Sequence, residues 1–211
     1  MATFQQIQQS VSKRLLDANN TAISVADVAA SINDAIRYWK TRRFWFNEEY
    51  YTGNLVSQNP TIPLPADFLV TATDYDGFVI HYSSTRYPLN KITQQQYDGI
   101  YLDNGYGLPF CYARMGQDYQ VYFSPDRDYE FVAHYLKDYP DLVNPNETND
   151  FTDFADRLIL LWTCANMSAE FRQDDKMEGY YRKAAEDEYR QLGVRTAKSN
   201  ASGRLTLRST L

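Results

Sequence analysis

The chain has 211 residues, enough for one ordinary domain with a real core or for one domain carrying an insertion. Its 27 acidic and 21 basic residues give a net charge of -6, which argues against nucleic-acid binding over the whole surface, because such binding rests on neutralising phosphates. Cys111 and Cys164 lie far apart with no CxxC, so neither a disulfide framework nor a zinc knuckle is expected, and cytosolic synthesis is the natural reading.

The opening MATFQQIQQSVSKRLL lacks the apolar core of a signal peptide, and no segment approaches about 18 consecutive apolar residues, so no membrane association is expected. It reads instead as a helix capped by Thr3, with Phe4, Ile7, Val11 and Leu15 forming one stripe, broken at Asn19-Asn20. Ser24 and Asp27 have the spacing of a capping box, and Val28, Ile32, Ala35, Ile36 and Trp39 continue a second amphipathic helix that ends near Arg42 or Arg43. Cations suit the last turn of a helix because of its dipole.

The period then changes. From Phe44 to about Tyr139 short runs of Tyr, Phe, Val and Thr are punctuated by Pro, Gly, Asn and Asp, which is strand and turn chemistry. Strands are expected over 44–51, 70–74, 77–82, 87–92, 110–115, 119–124 and 129–136, with a hairpin turn at Gly116-Gln117. LPADF at 64–68 should sit at a strand end or corner, since its proline cannot donate to a sheet. Residues 93–107 should begin with a helical turn and run into an exposed loop.

After the linker DLVNPNETND, a helix capped by Thr152 or Asp153 is apolar nearly all round, with Phe154, Leu158, Ile159, Leu161, Trp162, Ala165 and Met167, and should be the most buried. A last helix from about Asp174 to Leu192 has Met177, Tyr180, Tyr181, Ala184, Ala185 and Tyr189 as its candidate inner face. The order helix–helix, strands, helix–helix predicts an α+β chain. Residues 1–43 and 151–193 would form a mainly α-helical bundle from both termini, 44–150 an inserted antiparallel β-domain, and 194–211 an extended basic C-terminal arm.

After Glu188 there is no acid, while Arg190, Arg195, Lys198, Arg204 and Arg208 are basic; removing those five charges from the total of -6 leaves -11 on the rest. SNASGRLTLRSTL has no helical stripe, so it should order only against a partner, for example by strand addition through the alternating Leu205, Leu207 and Leu211. Eighteen tyrosines also suggest assembly, since tyrosine suits surfaces that are wet in the monomer and buried against a partner.

Catalytic templates find little support. There is no GxxxxGK[ST] and no GxGxxG, so no phosphate-cradling loop and no cofactor is expected. His81 and His134 lie in predicted strands and are too few for a metal site. Cys164 and Cys111 read as buried thiols. Glu48-Glu49 could imitate the carboxylate pair of a glycan-cleaving enzyme, but neighbours in a strand point to opposite faces. Lys40 to Arg43, followed by three aromatics, could imitate a nucleic-acid platform, although the helix dipole accounts for the cations without a ligand. No catalytic or metal-ligating residue is assigned.

The succession AIRYWKTRRFWFNEEYY, TIPLPADF, GLPFCYARMGQDYQVYFSPD, FADRLILLWTCANMSAEFR and a basic tail resembles the head-to-tail adaptor (connector) proteins of tailed, particularly short-tailed, bacteriophages. RFWFNE and LPADF carry most of the likeness, which spans nearly the whole chain. The resemblance implies a structural virion protein and not an enzyme. It implies a homo-oligomeric ring, commonly of twelve subunits, docked under the portal protein. That ring would extend the DNA channel, let packaged DNA pass without sequence-specific binding, and offer a platform for a tail or nozzle protein. By position it makes Gly203, Arg204, Leu205, Thr206, Leu207, Arg208 and Leu211 a portal-binding arm and the loop of Tyr97, Tyr101 and Tyr106 a tail-facing surface. Arg42, Arg43, Trp45, Tyr50 and Tyr51, at the seam between helix and sheet, are candidates for a subunit interface. Two rivals are a minor tail or baseplate component and a peptidoglycan-cleaving tail hydrolase using Glu48 or Glu49.

Overall fold

Helix α1 (Phe4–Arg14) starts where the sequence offers its cap. In the computed structural model, which describes residues 2–15, 23–73, 77–100 and 105–201, the Gln6 N–H donates to the Thr3 hydroxyl (3.3 Å) and the Thr3 N–H to Gln6 Oε1 (3.0 Å). The N–H groups of Phe4 and Gln5 donate to the carbonyls of Glu147 and Pro145, both at 3.0 Å, so two of the donors that a helix start leaves open are met from a distant segment. Helix α2 (Val25–Trp39) repeats the device, with Ser24 and Asp27 exchanging cap bonds.

Strand geometry does not follow directly on α2. Residues 44–46, expected as the start of a strand, form a turn, and the first strand, β1 (Glu48–Leu55), begins four residues later. The cause is Asn47, which is fully buried: its Oδ1 accepts from the Phe44 N–H (2.9 Å), and its Nδ2 donates to the carbonyls of Arg42 (2.8 Å) and Lys40 (3.3 Å). With the turn closed in this way, Phe44 and Phe46 stack in parallel at 5.1 Å instead of alternating along a strand. Both meet Phe151 edge-on, at 5.9 and 5.2 Å.

The C-terminal helices also depart from expectation. Asn149, not Thr152 or Asp153, caps a short α4 (Asp150–Phe154), and a break at Ala155 separates it from α5 (Asp156–Met167). A single π-helical turn over Ser168–Arg172 and a left-handed Gln173 lead into α6 (Asp175–Ala201). This last helix runs nine residues past the expected stop at Leu192, through positions expected as arm. Its inward stripe of Tyr181, Ala185, Glu188 and Leu192 simply continues at Thr196, which is 7% exposed and donates to the Leu192 carbonyl (3.0 Å). These helices form one compact unit, Met1–Asn47 with Tyr139–Leu211, around a core that includes Ile32, Trp39, Leu158, Ile159 and Met167.

The segment 141–150, expected as a linker, is held at three points inside that unit. Asn33, buried on α2, donates to the Leu142 carbonyl (3.0 Å) and accepts its N–H (2.9 Å). The Arg37 guanidinium bridges Asp34 and Asp141. The Glu147 carboxylate accepts the N–H groups of Val143 (2.6 Å) and Asn144 (3.0 Å), and these donors hold its pKa below the usual glutamate value.

The second unit, Glu48–Asp138, is built on β10 (Tyr129–Lys137). β10 pairs antiparallel with all of β1, from Glu48 opposite Leu136 to Leu55 opposite Tyr129. Its other edge takes β3 (Phe78–Tyr82) and β2 (Phe68–Thr71), and β4 (Thr85–Pro88) flanks β3. The run expected as one strand over 87–92 is split at Leu89, where β4 gives way to the short β5 (Asn90–Lys91). A hairpin of β7 (Cys111–Met115) and β8 (Asp118–Tyr122) turns at Gly116, whose φ of +69° suits glycine. Not every pairing is antiparallel: β5 with β7, and β6 (Tyr106–Gly107) with β9 (Ser124–Pro125), run parallel. The hairpin is buried on both faces. Tyr112 and Val121 join the main core, while Cys111, Ala113 and Tyr122 meet Tyr97 of α3 (Gln94–Ile100).

Replacing Asn47 with Ala removes the side-chain partner of one buried N–H and of two partly buried carbonyls, and the loss of a buried partner costs about 1–3 kcal/mol. Urea denaturation should therefore show Asn47→Ala destabilised by about 3 kcal/mol; a loss below about 0.5 kcal/mol would mean that the turn closes without it. Glu147 gives a pH signature. Because its folded pKa is depressed, its contribution is present above the unfolded value of 4.5 and is lost as the pH falls through the folded value. Stability followed by denaturation from about pH 6 to pH 3 should decline less steeply in Glu147→Gln than in the parent.

Candidate functional site

Both cysteines, His134 and Glu48 are tied into structure, whereas His81 is exposed. Burial pushes the Cys111 thiol up to about 11 and the Cys164 thiol to about 12, so neither is a thiolate near neutral pH. His134 Nε2 lies 2.8 Å from Glu48 Oε2, both side chains being about nine-tenths buried, and the exposed Tyr50 ring stacks on the imidazole at 4.5 Å. Glu49, on the opposite face of β1, is exposed, so the acid pair does not converge on one site. Among the described residues no group of three His, Cys, Asp or Glu side chains is placed to hold a metal, and no helix is long and apolar enough to cross a membrane.

The surface candidates divide between the two units. In the helical unit Arg42 and Arg43 are exposed and Trp45 is partly buried, its N–H donating to Thr196 Oγ1 (3.3 Å). That contact brings the turn after α2 beside the last turns of α6, where Arg195 and Lys198 are exposed. The two basic runs, which are read separately in the sequence, therefore share one end of the helical unit, and sequence reasoning missed the meeting because it placed 194–201 in an arm. In the β unit Tyr50 is 66% exposed, whereas Tyr51 packs at 6.0 Å on Phe131.

Of the tyrosines assigned to an exposed loop, Tyr97 is corrected: it is 3% exposed and donates its hydroxyl to the Val121 carbonyl (3.2 Å), because α3 lays it on the hairpin. Tyr106 is 61% exposed. Tyr101 and the arm residues Gly203, Arg204, Leu205, Thr206, Leu207, Arg208 and Leu211 lie outside the described residues.

Recesses mark the helical unit, three of them among the described residues. Two adjoining grooves, of about 390 and 480 Å³, share Gln8 and Val25; the larger is walled by Phe4, Ala26, Ala29, Leu142, Val143 and Pro145. A small pocket of about 120 Å³ lies between Asp27, Ala30, Ser31 and Asp34 of α2 and Asn166, Glu170 and Phe171. None has the size and convergent polar groups of an enzyme site together; what the surface offers is charge and exposed aromatic area for partners.

The family model of the SU10 adaptor protein matches residues 2–208, nearly the whole chain. Among curated proteins no sequence matches it.

The thiols give a direct check on the burial. In the native protein at about pH 8 a colorimetric disulfide reagent should leave Cys111 and Cys164 unmodified over minutes, and both should react at once after unfolding. Rapid native labelling of either would show that its pocket opens.

Proposed function

The chain belongs to the SU10 adaptor protein family, and from that premise we propose that it is a structural head-to-tail adaptor of a tailed bacteriophage, forming a ring beneath the portal. The family match over residues 2–208 carries the reading. The ring, of the twelve-subunit kind, extends the DNA channel and gives the tail or nozzle protein its platform. Its place is in the virion, at the head-to-tail interface, after assembly in the host cytoplasm.

Physical features support each part of that role. The charge of -11 on the residues before the basic tail repels a polyanion, which lets DNA slide through the channel without sticking. Residues 203–211, with Arg204, Arg208 and the alternating Leu205, Leu207 and Leu211, form the arm that grips the portal, its ordering cost met only on docking. In sequence the arm follows α6, whose last turns carry Arg195. Arg42, Arg43 and Trp45 from the helical unit and Tyr50 from the β unit contribute to subunit contacts, and Tyr106 is exposed for a tail-facing role. The role asks for no nucleophile, no metal and no cofactor.

Deleting residues 203–211 should leave circular dichroism and the melting temperature unchanged while abolishing co-purification with the portal protein of the same phage. Normal portal binding by the truncated chain would overturn the arm assignment. Mass measurement of the chain alone and after mixing with portal rings checks the ring itself.

A further inference from the structure

The two edges of the main sheet are finished differently. The sheet runs β1–β10–β3–β4, so β1 and β4 are its outer strands. His134 of β10 donates its N–H to the Gly77 carbonyl (2.8 Å) and accepts the Ala72 N–H (2.9 Å), so its main chain faces away from β1. Tyr50 lies opposite His134, and in such a non-hydrogen-bonded antiparallel pair both main chains face outward. The Tyr50 N–H therefore leaves the sheet, where it meets the carboxylate of its neighbour Glu49 (3.3 Å). By alternation Thr52 and Asn54 face outward too, and no described residue pairs with their outward N–H and carbonyl groups.

The opposite edge is guarded. β4 has four residues, and because the Leu89 N–H donates to the Phe78 carbonyl (2.9 Å), Arg86 and Pro88 hold its outward positions. A proline there has no N–H to offer, and an arginine puts a charge on the edge. β1 has eight residues, no proline, lysine or arginine, and no bulge in its register with β10. Natural sheets do not leave such an edge bare, because it templates pairing with another extended segment. An edge also dictates its occupant, since only a strand can use a row of alternating donors and acceptors.

One segment of this chain outside the described residues has that character. Residues 204–211, RLTLRSTL, match β1 in length and contain no proline, glycine or acid. In a strand Leu205, Leu207 and Leu211 share one face, and Arg204, Thr206 and Arg208 the other. The two faces of β1 differ in the same sense. Leu55, fully buried, and Tyr51, packed on Phe131, lie on the core side, while Tyr50, 66% exposed, and Thr52 lie on the other. Leucines then extend the core beyond Tyr51, and arginines reach the exposed Tyr50 ring. The local charge has the matching sign: Glu48 and Glu49 open β1 and exposed Glu130 lies opposite Asn54, whereas the cationic side chains nearby are His134, paired with Glu48, and Lys137, just past the ladder. We infer that residues 204–211 of a second copy add to the open edge of β1 as a further strand. The inference rests on the self-association in the ring reading and goes beyond it, giving the segment a place on a neighbouring copy while no portal holds it. Neighbours in an assembly present the segment at high local concentration.

Sedimentation velocity of the full chain, alone and with excess free peptide spanning 203–211, tests the contact. The parent should self-associate, and the peptide should weaken that association at least about tenfold by taking the β1 edge. Thr52→Pro removes an outward N–H and leaves the ladder with β10 intact, so it should fold by circular dichroism and lose at least about tenfold in association. Two further peptides, methylated on the backbone nitrogen of Thr206 or of Leu207, give a readout that needs no protein variant. Neighbours in a strand turn their N–H groups to opposite sides, so one of these peptides should compete like the unmodified one and the other at least about tenfold more weakly. If Thr52→Pro does not fold, this pair decides. Self-association that the peptide leaves unchanged, or equal competition by the two methylated peptides, overturns the contact while the ring reading stands. A parent that stays monomeric at every concentration overturns it as well, and rings formed on added portal would then still support the portal reading. A parent that forms no ring on added portal overturns the ring reading, whatever the peptide does.

Discussion

The helical unit is made from two stretches of chain separated by the whole of Glu48–Asp138, so it depends on whatever holds those stretches together. The most specific such tie is the carboxamide of Asn33, which pairs with both the N–H and the carbonyl of Leu142 as a neighbouring strand would. Both groups are buried, so removing the amide would strand two backbone dipoles away from water, and that penalty exceeds the modest net gain of making an ordinary hydrogen bond. The donors of α1 that reach Pro145 and Glu147 work in the same direction. A segment that looks like a polar connector is thereby made part of the fold, and the apolar helices are committed to one arrangement.

The inserted unit meets a related constraint with a ladder. β1 enters it and β10 leaves it, and the two pair along their whole length, so the entrance and exit of the insertion are neighbours by construction. The ladder is close-packed: at Gly53, opposite Phe131, a Cβ would lie 2.8 Å from the Phe131 ring. Residues such as Phe78, Phe131 and Tyr112 then fill the core with edge-to-face contacts. This is the constructive use of a composition rich in tyrosine and phenylalanine, much of which is interior and only partly available to partners.

Features governed by neighbours in sequence could be read directly. The caps at Thr3 and Ser24, the stripes of α1 and α2, and the Gly116 turn are local rules that the structure follows. What escaped depends on partners remote in sequence. Phe44, Trp45 and Phe46 have the composition of a strand, but Asn47 closes their backbone and Phe151 receives their rings. Residues 194–201 have too few apolar side chains to announce a helix, and only the four-residue step from Leu192 to Thr196 hints that α6 continues. Tyr97 reads as a loop residue because the surface that buries it, the hairpin of β7 and β8, follows it in the chain. The basic end was half legible: Lys40 to Arg43 stand out, but that Arg195 joins them requires the Trp45–Thr196 contact.

That joining changes what the basic charge can do. On a tethered tail, cations act one at a time and each contact costs chain entropy. On the last turns of α6, beside a turn locked by Asn47, Arg195 is fixed relative to Arg42, so a partner meets a preorganised pattern and fewer degrees of freedom are lost on docking. Charges in such exposed positions contribute more to orientation and encounter rate than to affinity. Affinity then falls to the apolar residues around them and to multiplication over many equivalent contacts.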